Sequence, residues 1–168
     1  MLSKNIESAL NKQIRIEAES SQTYLSMACW AEISGLEGIA QFMFTQSDEE
    51  RLHMLKLIKY VNERGGHAKI TDLKAPKTTY ETFKEMFEEL YKHEIFVSDS
   101  INELVHITFL EKDYATHNFL QWYVAEQIEE EATAKSILDK INLIGDDKGG
   151  LYLFDRDLQQ IAVAKPII

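Results

Sequence analysis

Glu50 and His53 stand three residues apart in the stretch Ser47-Asp48-Glu49-Glu50-Arg51-Leu52-His53, which reads as helix. At that spacing a carboxylate and an imidazole share one helix face, a turn apart, and can hold one metal ion between them. Alone the pair is a weak motif, because Glu and His fall at this spacing in many helices that simply face water. Its weight depends on matching groups elsewhere. Three other stretches supply them: Glu17, Glu94, and Gln127 with Glu130 each interrupt an otherwise apolar helical stripe. Burying several carboxylates at one level without compensation is costly, and each pushes its neighbours toward the protonated form. Cations remove both costs. The donors are carboxylate oxygens and one imidazole, with no thiolate, a set that suits iron or manganese with zinc as an adventitious competitor. Glu50, next to His53, is the natural bridge between two ions. Paired iron at such a site can share the electrons needed to reduce dioxygen.

Four long helical segments must position these groups. The first spans about 3–34, with Ile6, Leu10, Ile14, Leu25 and Ala28 on a helical period and Gly35 behind it. The second spans about 37–64 and stops at Gly65-Gly66. Its stripe is Phe42, Gln46, Glu50, His53, Leu57 and Tyr60 with Val61. No Gly or Pro occurs between Lys77 and Ile144. One helix over that length would reach roughly 100 Å, too long for a domain of this size. The chain therefore breaks at Glu111-Lys112-Asp113, where Asp113 can cap a new N-terminus. This gives a third segment over about 80–110 and a fourth over about 114–144. In each segment the polar interruption lies near the middle, so four packed helices bring the groups to one level.

Residues 65–79 form a connection that can extend to roughly 50 Å. The second segment, as a helix, is about 42 Å long. The connection can thus run the whole length of a bundle and let the third helix lie parallel to the second. A short fifth segment, about 151–163, carries Leu151, Phe154, Leu158 and Ile161 on one face. That face packs on another subunit or folds back on its own bundle. The expected fold is all-α, a four-helix bundle with a long crossover between helices two and three and a short fifth helix, in a single domain over 1–168.

Composition narrows the function. The chain has 168 residues, 45% of them hydrophobic, enough for a buried core. Its net charge is −10, which argues against a phosphate-tracking nucleic-acid surface and is compatible with attracting cations. No apolar run approaches the ~20 residues of a membrane span, and no signal-peptide pattern opens the chain. Cys29 is the single cysteine, so an internal disulfide is excluded and a reducing compartment, the cytoplasm, is expected.

Three stretches taken together carry a family resemblance: Glu49-Glu50-Arg51-x-His53, His93-Glu94, and Tyr114-Ala115-Thr116-His117-Asn118-Phe119-Leu120-Gln121-Trp122-Tyr123 running into Glu126-Gln127-x-Glu129-Glu130-Glu131. With the Asn-x-Gln-x-x-x-Glu stretch ending at Glu17, the chain resembles the bacterial non-haem ferritins over its whole length. The resemblance implies an iron-storage ferroxidase that oxidises iron(II) with dioxygen or peroxide and keeps it as hydrated ferric oxide. It implies a hollow shell of about 24 subunits, with the fifth helix meeting its copies at four-fold axes. It implies that Glu17, Glu50 and His53 hold a first iron, and that Glu50, Glu94 and Glu130 hold a second with Gln127 lining the pair. Glu49, Glu126, Glu129 and Glu130 match a third, more peripheral iron site. Tyr24 resembles the tyrosine beside the paired irons, and Trp122 the nearby aromatic associated with electron supply, although core packing also accounts for both.

Sister families differ in telling ways. Bacterioferritins repeat Glu-x-x-His on the fourth helix, where this chain has Gln127 and Glu130, and their haem-ligating Met falls at Leu52. No haem is therefore expected. Two rival readings follow from the same residues: a non-storing di-metal carboxylate oxidase of this bundle class, and a non-catalytic shell protein with vestigial polar breaks.

Overall fold

The computed structural model describes the backbone of residues 1–164 and the side chains of residues 1–160. Five helices occupy it: α1 (Lys4–Ile33), α2 (Glu37–Glu63), α3 (Phe83–Leu110), α4 (Tyr114–Ile144) and α5 (Lys148–Ala164). Local chemistry sets most ends. The Ser3 hydroxyl caps α1 by accepting from Ile6 N at 3.1 Å. Thr82 does the same for α3 through Glu85 N, which is why that helix starts at Phe83 rather than at Tyr80. Asp113 caps α4 through Thr116 N at 3.0 Å, and Lys112 takes a positive φ of 58° to make the corner. The fifth helix starts three residues before its expected beginning at Leu151. Asp147 accepts from Gly150 N at 2.7 Å, so Gly149-Gly150 form the first turn rather than a break. The Asp147 cap offsets the backbone freedom that these glycines lose on entering the helix.

α1 and α2 form one antiparallel hairpin, and α3 and α4 form a second. The crossover between them is traceable by its bonds to α1. Asn11 holds His67 O and Lys69 N, Glu19 accepts from Lys74 N, and Ser26 donates to Lys77 O. The connection thus runs the length of α1 and delivers α3 parallel to α2, with Phe42 and Phe87 in ring contact. This is the ferritin-like arrangement of helices.

The core is in two parts. One apolar cluster gathers Tyr24, Met27, Ala28, Phe42, Met43, Phe87 and Ile137, and the other Ile6, Leu10, Leu57, Val61, Ile101 and Leu120. Leu25, placed on the buried face by its spacing, is instead exposed, because the buried positions of α1's last turns are Tyr24, Met27, Ala28 and Ala31.

The fifth helix folds back. Phe154 and Leu158 are buried in the first cluster, with Phe154 edge-on to Phe87, while Ile161 lies outside the described side chains. The α2 N-terminus lacks a local side-chain cap. The Asp155 carboxylate of α5 supplies one, accepting from Gly38 N at 3.2 Å and Ile39 N at 2.9 Å. The approach is so close that a Cβ on Gly38 would lie 1.8 Å from the Asp155 carbonyl oxygen, so only glycine fits there. No helix among the described residues is long and apolar enough to cross a membrane.

Candidate metal centre

Between the two apolar clusters lies a polar layer. Glu17, Glu50, His53, Glu94, Gln127 and Glu130 are all buried, each no more than 6% exposed. On the α1–α2 side, one oxygen or nitrogen from each of Glu17, Glu50 and His53 falls within 4.8 Å of the others. Glu50 Oε2 sits 3.5 Å from His53 Nδ1, within ion-pair range but without hydrogen-bond geometry. Glu17 is oriented from one turn earlier: Gln13 Nε2 donates to Glu17 Oε1 at 2.8 Å, and Ser100 of α3 holds Gln13 Oε1 at 2.7 Å. The remaining oxygens, Glu17 Oε2 and Glu50 Oε2, are buried with no hydrogen-bond partner. Two orphaned carboxylate oxygens beside an imidazole nitrogen form a donor set for a divalent cation, and oxygen–nitrogen ligation of this kind fits iron.

On the α3–α4 side the same residue types are already engaged. Glu94 accepts from the Tyr24 hydroxyl and from Gln127 Nε2 at 3.2 Å. Glu130 accepts from Gln46 Nε2 at 2.9 Å. Gln127 Nε2 also reaches Ser98 Oγ at 3.3 Å, and Ser98 donates to Glu131. His53 is braced from α4, where Tyr123 Oη donates to its carbonyl oxygen at 2.8 Å and Trp122 meets its ring edge-on at 5.2 Å.

Electrostatics follow from burial. Desolvation, then the charge of Glu50, holds the Glu17 carboxyl well above its usual range. Desolvation and then Glu94 do the same to Glu50. Glu94 is pushed up to about 7 by burial, against the lowering effect of the Tyr24 hydrogen bond. Tyr24 is raised too, by burial and then by Glu94. Without a cation the layer therefore holds protons, and a bound divalent ion reverses the balance toward carboxylate.

The peripheral residues are placed differently. Glu49 is half-buried and adds to the repulsion on Glu50. Glu126 is half-buried and Glu129 exposed. Among the described residues, the compact three-ligand group is Glu17, Glu50 and His53 alone. Sequence reasoning did not assign Gln13, Gln46, Ser98 or Glu131 to the site. Two of them carry a readable signal, since Gln13 precedes Glu17 and Gln46 precedes Glu50 by four residues, one helical turn.

The ferritin-like domain family matches residues 7–144. A probable bacterial non-heme ferritin-like protein of Haemophilus influenzae is 48% identical over 162 residues, 96% of this chain and 98% of that one. A bacterial non-heme ferritin of Campylobacter jejuni is 44% identical over 165 residues, 98% and 99% of the two chains. Among solved structures, an open pore ferritin from the archaeon Archaeoglobus fulgidus superposes with a TM-score of 0.93 at 44% identity, covering 94% of this chain and 96% of its own.

Proposed function

Since this chain belongs to the bacterial non-haem ferritins of the ferritin-like family, we propose that it stores iron, oxidising iron(II) with dioxygen or peroxide and retaining it as hydrated ferric oxide. In this reading iron(II) is the substrate. Glu17, Glu50 and His53 take the first ion. Glu50, bridging, with Glu94 and Glu130 takes the second, and Gln127 lines the pair. Glu49, Glu126, Glu129 and Glu130 form an outer position for a third ion. The protein acts in the cytoplasm, self-associated into a shell of about 24 copies.

The observation that carries the reading is the pair of orphaned buried oxygens, Glu17 Oε2 and Glu50 Oε2, converging with His53. When bound, the paired ions supply the electrons that reduce the oxidant. The chain does the rest. Gln13 and Ser100 fix the Glu17 carboxylate in place. Tyr123 and Trp122 fix the helix and ring of His53. The Tyr24 hydroxyl holds Glu94 facing the layer, and the buried carboxyl groups give up their protons as ions enter. The two apolar clusters exclude water from above and below.

Adding iron(II) aerobically to the metal-free protein tests this, following ferric absorbance together with particle mass. A large particle that accumulates many ferric ions per subunit is expected. A small oligomer that keeps only two or three would overturn storage and favour the non-storing di-metal oxidase.

A further inference from the structure

Ser20 and Tyr24 stand one turn apart on α1, and His93 and Glu94 are neighbours on α3. The four meet in pairs across the two helices. The Ser20 hydroxyl gives its one proton to Ile16 O at 3.0 Å, so its oxygen accepts from His93 Nε2–H at 2.7 Å. The His93 and Tyr24 rings meet edge to face, with centroids 5.7 Å apart and planes at 82°. Tyr24 Oη in turn donates to Glu94 Oε1. Glu94 is buried in the polar layer, whereas His93 lines a cleft of about 370 Å³ beside the crossover, with Glu19, Lys74 and Tyr80. With open space on its cleft side, the imidazole depends on Ser20 for its orientation.

We propose that His93 is the positioning residue for Tyr24: anchored by Ser20, its imidazole keeps the phenol seated on Glu94 and so keeps Glu94 turned toward the second iron position. A phenol carries its hydroxyl at the end of a rigid ring, so a small tilt of the ring moves the oxygen off its acceptor. A carboxylate oxygen has more than one lone pair. Glu94 Oε1 can therefore keep the Tyr24 bond and still face an ion, whereas Oε2 must first release Gln127. Outer partners of this kind orient a ligand without touching the metal. The inference rests on the two-ion reading proposed above and adds to it a residue that is a ligand of neither ion.

Zinc(II) calorimetry on the assembled metal-free protein tests it. His93→Leu should weaken the second ion about tenfold and leave the first within about twofold of its original affinity. Ser20→Ala, a smaller change at a helical position that suits alanine, should weaken the second ion about threefold. His93→Phe keeps a ring against Tyr24 but not the bond to Ser20, and should recover part of the loss, to within about threefold of the unaltered protein. The cycle with Tyr24→Phe separates positioning from plain packing. If His93 acts through the Tyr24 hydroxyl, adding His93→Leu to Tyr24→Phe should weaken the second ion by less than about twofold further. Losses that multiply in the double variant, or unchanged second-ion affinity in His93→Leu and Ser20→Ala, overturn the inference. Equal weakening of both ions, the mark of general loosening, overturns it too. Failure of the unaltered protein to bind two ions overturns the iron reading beneath it.

Discussion

In the α1–α2 hairpin, Glu17 and Glu50 each keep a buried oxygen with no hydrogen-bond partner, and both face His53. In the α3–α4 hairpin, Glu94 and Glu130 occupy the same layer but are engaged by Tyr24, Gln127 and Gln46. Two of those three donors, Tyr24 and Gln46, come from the opposite hairpin. At those two oxygens the first half has no hydrogen bond to exchange when an ion arrives, only the protons that burial keeps on its carboxyl groups. The second must exchange hydrogen bonds for metal bonds. The difference predicts an ordered, unequal pair: a tighter ion held by α1 and α2, and a looser one that leaves more readily. An unequal pair favours passing ions onward over keeping them.

The largest expected effect comes from removing a proposed ligand of the first ion. Glu50→Ala or His53→Ala should slow rapid iron(II) oxidation on the order of a hundredfold while the assembled particle keeps its size, as stopped-flow absorbance and light scattering would show. An unchanged initial rate would refute the ligand assignment. Next, Glu94→Ala should abolish the second equivalent in anaerobic titrations and leave the first within about threefold of its original affinity. Equal loss of both ions would erase the distinction between the halves.

Acidity tests the comparison from another direction. Burial raises Glu17, Glu50 and Glu94, so the metal-free layer holds protons at pH values where an exposed carboxyl would be ionised; for Glu94 the change comes at about 7. Metal ions bind the ionised form and expel those protons. Below that pH more protons are present to be expelled, and well above it fewer. Proton release per zinc ion should therefore fall as the pH rises from about 6 to about 8.5. A flat profile would mean that the carboxyls are already ionised without metal.

The smallest effects carry the sharpest sign. Gln13→Leu removes the donor that orients Glu17 and should weaken the first ion by about threefold. Gln46→Leu removes the donor that occupies Glu130 and should strengthen the second by a similar factor, about threefold. Calorimetry on the two variants decides. Changes of the same sign would show that both amides merely pack.

The sequence carried much of this layout because helices make spacing meaningful. Glu50 and His53 are one turn apart on any helix, and Asp113, midway along a run too long for one helix and able to cap a new one, announces the α3–α4 corner. What stayed hidden depends on contacts between helices. Whether Glu94 is free or held depends on Tyr24, seventy residues away in the chain. The fate of the fifth helix turned on Asp155 finding the uncapped start of α2, and on Gly38 leaving room for it. Nothing in the local pattern of either residue reports the other. Leu25 was misplaced for a simpler reason: a helical stripe drifts over thirty residues, and a phase set near Ile6 no longer holds near the far end.

The crossover pinned along α1 has a consequence for how the molecule comes to exist. Each hairpin closes over a turn of a few residues, so each can form early and locally, while bringing the two together must wait for the long connection to find its track. On that order each half of the polar layer would be made before it meets the other. Docking then presses two sets of carboxyl groups against each other, a step that acid or a divalent ion should accelerate and that neutral, metal-free conditions should slow. The groups that receive iron in the finished protein would thus also set the pace of its final folding step.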